Sequence, residues 1–300
     1  MRYSSDVLDL IGNTPLIKLS RFTDMPLFAK AEFLNPGGSI KDRVAKHIVF
    51  AAERSGELKP GQLIVEATSG NTGIGAALVG VQRGHPVAIV MPESMSEERK
   101  KIIRALGAEL VLTSAEGSLD EAGQRADLIS RERDGWRLRQ FDNLLNPETH
   151  YQFTGPEIWE QAEGQVDAFV AGVGSGGTVG GVGRFLKERN PRVRIIAVEP
   201  KQTAALLRQE PGLHGIQGIG DGFVPSCLDT KLIDDLLTVS DEDAIETTRE
   251  LARKQGLLVG TSSGANVWAA SFIARALGPT RNVVTVLPDR AERYFSTALI

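Results

Sequence analysis

Short β-branched runs, each followed by a stretch of helical periodicity, narrow the architectures open to this 300-residue chain more than any other feature. The runs are LFAKAEF (27–33), LIVEA (63–67), VAIVM (87–91), ELVLT (109–113), LRQF (138–141), VDAFVA (166–171), RIIAVE (194–199) and VVTVL (283–287), and the helical patterns include 72–83, 96–106, 118–132 and 241–255. Parallel neighbours need a helical crossover between them, so this alternation predicts an α/β fold of largely parallel open sheets with helices on both faces. Ile102, Ile103 and Leu106, an apolar stripe after SEERKK, suit a helix lying on a sheet. The chain is long enough for two lobes, and the polar, Gly/Pro-rich stretches 142–147 and 209–226 are the candidate boundaries or mobile loops.

Composition removes several classes of function. With 41% hydrophobic and 24% charged residues and a net charge of −4 spread over interspersed acids and bases, no basic stripe offers a footprint for nucleic acid or an anionic membrane. The expected partner is a small molecule. A single cysteine, Cys227, excludes an intrachain disulfide framework, and His47, His85, His150 and His214 lack metal-ligand spacing, so no metal is expected. No stretch approaches the ~18 apolar residues of a membrane span and the N-terminus has no apolar leader core, which makes the cytoplasm the expected location.

The segment AGVGSGGTVGG (171–181) holds six glycines between an apolar run and a helical stretch. Gly172, Gly174 and Gly177 satisfy G-x-G-x-x-G, and Glu199 ends the next strand where a dinucleotide enzyme would bind a ribose hydroxyl, so an NAD-dependent dehydrogenase is one reading. A glycine loop opening a helix serves any phosphate, however, because bare N–H groups and the helix dipole act on the anion whatever carries it. Six glycines exceed what close packing asks for. No Gly-Lys-Ser/Thr occurs in the chain, which argues against a nucleoside triphosphate.

Three further turns present small polar groups at helix starts: ATSGNTG (67–73), TSSGAN (261–266) and NPGGSIKDR (35–43). In open α/β sheets ligands gather beyond the carboxyl ends of the strands, so these turns suggest one polar ligand with more than one anionic group. Ser39 and Asp42 have capping-box spacing, which places Lys41 in the first turn of the following helix. The macrodipole disfavours an ammonium there by ~0.3–1 kcal/mol, and burial would lower its pKa further, leaving an amine able to attack a carbonyl. A solvent-facing Lys41 is the plain alternative. Pyridoxal 5′-phosphate uses all of these features at once, with an aldehyde for Lys41 and a phosphate for the glycine loop; NAD leaves Lys41 and the serine-rich turns without a role.

The segments IGNTPLIKL, NPGGSIKDR, EATSGNTGIG, MPESMSEERKKIIRALGAELVLT, TGPEIW, GSGGT, IQGIGDGF, GTSSGA and ERYFSTAL occur in the order found in the cysteine synthase (O-acetylserine sulfhydrylase) family of fold-type II pyridoxal-phosphate enzymes, which the chain resembles over nearly its whole length. The resemblance implies a two-lobed fold like that of the tryptophan synthase β subunit, with 37–146 as a smaller mobile lobe and 1–36 plus 147–300 as the larger, phosphate-binding one. It implies Lys41 as the cofactor's lysine, Asn71 at its ring hydroxyl, Gly174, Ser175, Gly176, Gly177 and Thr178 around its phosphate, and Ser262 at its pyridine nitrogen. Thr68, Ser69, Thr72 and Gln140 resemble the site for the substrate carboxylate. The reaction implied is β-replacement on an O-activated serine, O-acetylserine first, by sulfide or another sulfur donor through an aminoacrylate, yielding L-cysteine; the alternatives are a cystathionine β-synthase or an enzyme using O-phosphoserine or thiosulfate. A homodimer and a serine acetyltransferase partner belong to the same implication.

Two departures stand out. Ser175 replaces the usual threonine of the phosphate loop, which keeps the hydroxyl, and Pro288 is followed by Asp289 and Arg290, a pair resembling isozymes that accept larger sulfur donors. Plainer readings make Asp289 a loop cap, Arg290 a solvated charge and Cys227 a small buried side chain.

Overall fold

The structure, a computed structural model, describes residues 1, 3–115, 119–210 and 212–299. Its strands are β1 (Leu16–Lys18), β2 (Leu27–Lys30), β3 (Ile64–Ala67), β4 (Val87–Pro92), β5 (Glu109–Thr113), β6 (Trp136–Arg137), β7 (Ala168–Gly172), β8 (Arg194–Pro200), β9 (Asp235–Val239) and β10 (Val283–Val286). The α-helices are α1 (Lys41–Ser55), α2 (Asn71–Arg83), α3 (Glu97–Ala105), α4 (Leu119–Glu132), α5 (Leu145–Thr149), α6 (Gly155–Gln161), α7 (Gly177–Arg189), α8 (Asp241–Gln255) and α9 (Thr261–Leu277). Two compact units result, one of residues 1–12 and 35–145, the other of 13–34 and 146–300.

The first unit carries a parallel sheet in the order β5-β4-β3-β6. Successive strand residues point to opposite faces, and both faces are apolar. Ile64, Val87, Ile89 and Met91 pack with Val44 and Ile48 of α1 and Ile74 of α2, while Val65, Ala67, Ala88 and Val90 pack with Ala122, Ala126 and Ile129 of α4. In the second unit the order is β1-β2-β10-β7-β8-β9, parallel except for the antiparallel pair β1 and β2. Ala168, Val170, Ile196 and Val198 face Ala265, Ala269 and Ile273 of α9, and on the other side Gly183 of α7 rests on Ile195. Helices therefore cover both faces of each sheet, as the alternation along the chain predicts.

Local chemistry sets the helix ends. Ser240 accepts from the Asp243 amide at 3.1 Å, and α8 runs from three acids in its first turn to Arg253 and Lys254 in its last, complementing its dipole.

Three expectations need correction. LRQF is not a strand: the fourth strand of its sheet is Trp136–Arg137, and Arg139 then turns the chain at φ 56°. Strands β1 and β9 were outside the expected set. Residues 1–12, expected with 147–300, belong to the first unit: Leu8 and Ile11 enter its core, Lys46 Nζ donates to the Leu8 carbonyl at 2.8 Å and the Gly12 amide donates to Asn35 Oδ1 at 2.9 Å. Residue 118 of the helix expected over 118–132 lies outside the described residues.

Leu8 is 1% exposed. Leu8→Ala is expected to destabilise the first unit by about 2–4 kcal/mol, read by urea unfolding in a variant keeping Trp136 as its sole tryptophan; an unchanged midpoint would place the N-terminal segment outside that core.

Candidate active site

In the first unit, Lys41 is the first residue of α1 and is half-buried. The capping box expected there is not formed. Ser39 Oγ accepts from the Lys41 amide at 3.2 Å, while Asp42 reaches back past Ser39 to accept from the Gly37 amide at 2.6 Å. A Cβ on Gly37 would lie 2.5 Å from that carboxylate, so the bare glycine is what lets it close the turn. Gly75 of α2 leaves room for the Lys41 carbonyl, 2.9 Å from where its Cβ would be; Lys41 and Asn71 thus sit at the same end of two closely packed helices.

The ATSGNTG turn links β3 to α2. Gly70, the residue before the helix, has φ 152°, and its missing side chain is replaced by the buried Arg99, whose Cδ would lie 2.2 Å from a Cβ. Only glycine meets both conditions. Thr68 Oγ1 accepts from the Gly70 amide at 3.0 Å, and Thr72 Oγ1 donates to Gln140 Oε1 at 2.5 Å. Thr68, Thr72 and Gln140 are buried and Ser69 is half-buried, so the four candidate carboxylate ligands belong to one unit, two of them bonded to each other.

Glu66, which the sequence reading did not single out, underlies this turn. It is 1% exposed, and its two oxygens accept from consecutive amides, Arg139 at 2.9 Å and Gln140 at 3.2 Å. Burial pushes its carboxyl from 4.5 up to about 7, against the opposing pull of Arg137, the two amides and Lys41.

In the second unit, β7 runs into the glycine loop and α7. Gly174 and Thr178 are half-buried and Ser175, Gly176 and Gly177 are buried. The loop's glycines answer to packing more than expected. A Cβ would lie 2.7 Å from Ile219 at Gly172, 2.5 Å from the Gly218 carbonyl at Gly174, 2.8 Å from Leu228 at Gly176, 2.0 Å from Asn146 Oδ1 at Gly177 and 2.1 Å from the Pro147 carbonyl at Gly181. What still marks an anion site is the helix start itself. Gly176, in left-handed conformation at φ 77°, offers no side-chain cap, so no side chain occupies the start of this 13-residue helix, where an anion could be received. Asn146 Nδ2 donates to Ser175 Oγ at 2.9 Å and Cys227 Sγ donates to the Ser175 carbonyl at 3.2 Å, fixing the loop from behind.

Ser262 is buried in the first turn of α9, which also starts without a side-chain cap. On either side of it the buried Thr261 Oγ1 and Ser263 Oγ have no hydrogen-bond partner. Asn266, one turn on, accepts from the Gly172 amide at 2.7 Å and donates to the Val286 carbonyl at 2.9 Å, which ties this turn to the base of the glycine loop. Asp289 is fully buried against Gly260 and accepts from the Tyr294 hydroxyl at 2.5 Å, and the half-buried Arg290 donates through Nε to the Phe33 carbonyl at 2.9 Å, so Arg290 is not a freely solvated charge. Glu199 is not aimed at a ribose: both its oxygens accept from the Leu206 amide, at 3.3 and 3.1 Å.

Uncapped helix starts, a glycine cradle and orphaned buried hydroxyls fit a phosphate-bearing, polar aromatic cofactor. The comparisons agree. Residues 7–289 match the pyridoxal-phosphate dependent enzyme family, and the chain belongs to it. The chain is 45% identical to a cysteine synthase of Staphylococcus aureus over 298 residues, covering 98% of this chain and 96% of that protein. Among solved structures it is similar to an O-ureido-L-serine synthase (TM-score 0.97, 42% identity, 99% and 95% of the two chains) and to an O-acetylserine dependent cystathionine β-synthase of Helicobacter pylori (0.94, 39%, 100% and 99%). The dinucleotide reading is thereby set aside. No helix among the described residues is long and apolar enough to cross a membrane.

Gly177→Ala, colliding with Asn146, is expected to weaken pyridoxal phosphate binding at least about tenfold in an absorbance titration, whereas Gly180→Ala, whose Cβ meets only ordinary contacts at 3.6 Å, stays near wild type. Equal affinities would contradict this account of the loop. A second expectation concerns pH. The folded chain holds the Glu66 proton more tightly than the unfolded chain does, so the stability it contributes is complete below 4.5 and is lost as pH rises through about 7. Wild-type stability measured relative to Glu66→Gln should therefore fall between about pH 5 and about pH 8, and a constant difference would contradict the shift.

Proposed function

We propose that this enzyme makes L-cysteine by β-replacement: the O-acetyl group of O-acetyl-L-serine leaves as acetate and sulfide forms the new bond at the β-carbon. The observation that carries this reading is the pairing of Lys41 with a polar turn, Thr68 to Thr72, in a chain 45% identical along nearly its whole length to a cysteine synthase.

Bound pyridoxal phosphate supplies a conjugated ring that delocalises the charge left when a substrate α-proton departs. The chain's residues do the rest. Lys41 would hold the cofactor's aldehyde and, as a free amine, would take the substrate α-proton on Nζ and return it to Cα once the bond to sulfur is made. The phosphate is bound by the amides of Gly174, Ser175, Gly176, Gly177 and Thr178, where the dipole of α7 adds its positive end. Asn71 meets the ring hydroxyl. Ser262 meets the pyridine nitrogen with a hydroxyl, a weaker anchor for a protonated ring than a carboxylate, which favours β-replacement over transamination. Thr68, Ser69, Thr72 and Gln140 bind the substrate carboxylate, orienting the α-hydrogen toward Lys41.

A second reading changes only the acceptor or the donor. The similarity to an O-acetylserine dependent cystathionine β-synthase, with the Asp289–Arg290 pair, favours a larger sulfur donor such as homocysteine or thiosulfate, and O-phosphoserine is the rival donor of the serine moiety. The reading also includes work in the cytoplasm, a homodimer and a serine acetyltransferase partner, the last two tested by light scattering and by competition of an acetyltransferase C-terminal peptide with substrate.

Steady-state kinetics over O-acetylserine, O-phosphoserine and serine as donors and sulfide, thiosulfate and homocysteine as acceptors is the direct test. The highest kcat/KM is expected for O-acetylserine with sulfide. A preference for homocysteine would replace the first reading by the second, and no turnover with any pair would overturn both.

A further inference from the structure

A carboxylic acid occupies a position where the sheet is otherwise apolar. On β3, Ile64 and Glu66 point to the face that packs on α1 and α2, and Ile64 belongs to that hydrophobic cluster. A carboxyl 1% exposed on such a face is strongly unfavourable unless its oxygens are hydrogen-bonded. Each of them is: the two accept from the amides of Arg139 and Gln140, the residues at which the chain leaves the sheet after β6. Arg139 is held at φ 56°, a conformation uncommon for a non-glycine residue. The clamp has a consequence one side chain away. It points Gln140 at Thr72, whose hydroxyl it accepts at 2.5 Å in the first turn of α2.

We infer that Glu66 is a positioning residue for the substrate carboxylate: by gripping the Arg139 and Gln140 amides from beneath the sheet, it fixes Gln140 against Thr72 and so sets how tightly the amino-acid donor binds. The inference rests on the assignment of Thr72 and Gln140 to that carboxylate. Glu66 touches neither substrate nor cofactor in this role. A residue that merely held β3 together would, on replacement, lower stability and all kinetic constants together; a residue acting through Gln140 changes donor binding selectively.

Glu66→Gln keeps the shape and one acceptor oxygen but turns an amide nitrogen toward a backbone N–H. In the holoenzyme its donor KM is expected to rise at least about tenfold, with kcat within about threefold and the acceptor KM within about twofold. Hydrogen exchange at the Arg139 and Gln140 amides should speed up by at least about tenfold, while the cofactor absorbance of the resting enzyme stays unchanged. The decisive comparison is a double-mutant cycle: in a Gln140→Ala background, Glu66→Gln should add less than about twofold to the donor KM. An undiminished effect in that background, or a fall in kcat with KM unchanged, overturns the inference.

Should Glu66→Gln fail to fold, the wild-type holoenzyme still decides the matter. Protection of the two amides should increase when a non-reacting L-amino acid is bound, and no change in protection overturns the proposal. Failure of the functional reading is separable. If the wild type turns over no donor, that reading falls, while the Glu66 effect is read from the concentration of L-amino acid that shifts the cofactor absorbance in wild type and variant.

Discussion

A parallel strand that runs straight into a helix leaves that helix's first N–H groups facing the strand's carboxyl end, and where no side chain caps them they are open to water or to a ligand. In this chain α2, α7 and α9 begin after Gly70, Gly176 and Gly260, none with a side-chain cap, whereas α8 is closed by Ser240. The glycines that withhold caps are themselves enforced by neighbours: Arg99 over Gly70, Leu228 over Gly176, and Asp289 with Tyr294 over Gly260. Residues far from one another in sequence thus keep the helix starts bare. Bare helix starts are then a property of the packed fold and not of the loops alone.

Two buried acids extend this logic. Glu66 and Glu199 both lie on strands, both are nearly inaccessible, and both spend their oxygens on backbone amides of loops, Glu199 on the turn after its own strand and Glu66 on the turn after β6. Burial raises the carboxyl pKa of each. A buried carboxyl with fixed amide partners is a stiff clamp, since releasing either partner leaves a buried polar group unsatisfied. Clamps of this kind hold in place loops that would otherwise be free to choose among turns.

How much of this was legible in the sequence follows from the range of the interactions. Strand runs such as VAIVM and RIIAVE, and helix starts such as TSGN and TSSG, are local patterns, and the α/β class and the turns that carry the site residues follow from them. Lys41 in a first turn is equally local. The capping box at Ser39 and Asp42 failed because Asp42 had a better partner in the Gly37 amide, a choice that depends on Gly37 lacking a side chain. LRQF has the composition of a strand, yet Glu66, over seventy residues earlier in the chain, takes the two amides at its centre. Asp289 and Glu199 could not be placed from sequence because burial is decided by what packs over them, Gly260 and Tyr294 in one case and the turn at Leu206 in the other. The N-terminal segment went to the first unit through Leu8 and Ile11, two apolar residues too few for any periodicity to assign.

The proposed function turns on one side chain, the amine of Lys41, as the carrier of the cofactor's aldehyde. Reduction of the reconstituted holoenzyme with borohydride, followed by peptide mass mapping, tests that directly. The account predicts a single stable pyridoxyl adduct on the peptide containing Lys41; an adduct on another lysine, or none, would contradict it.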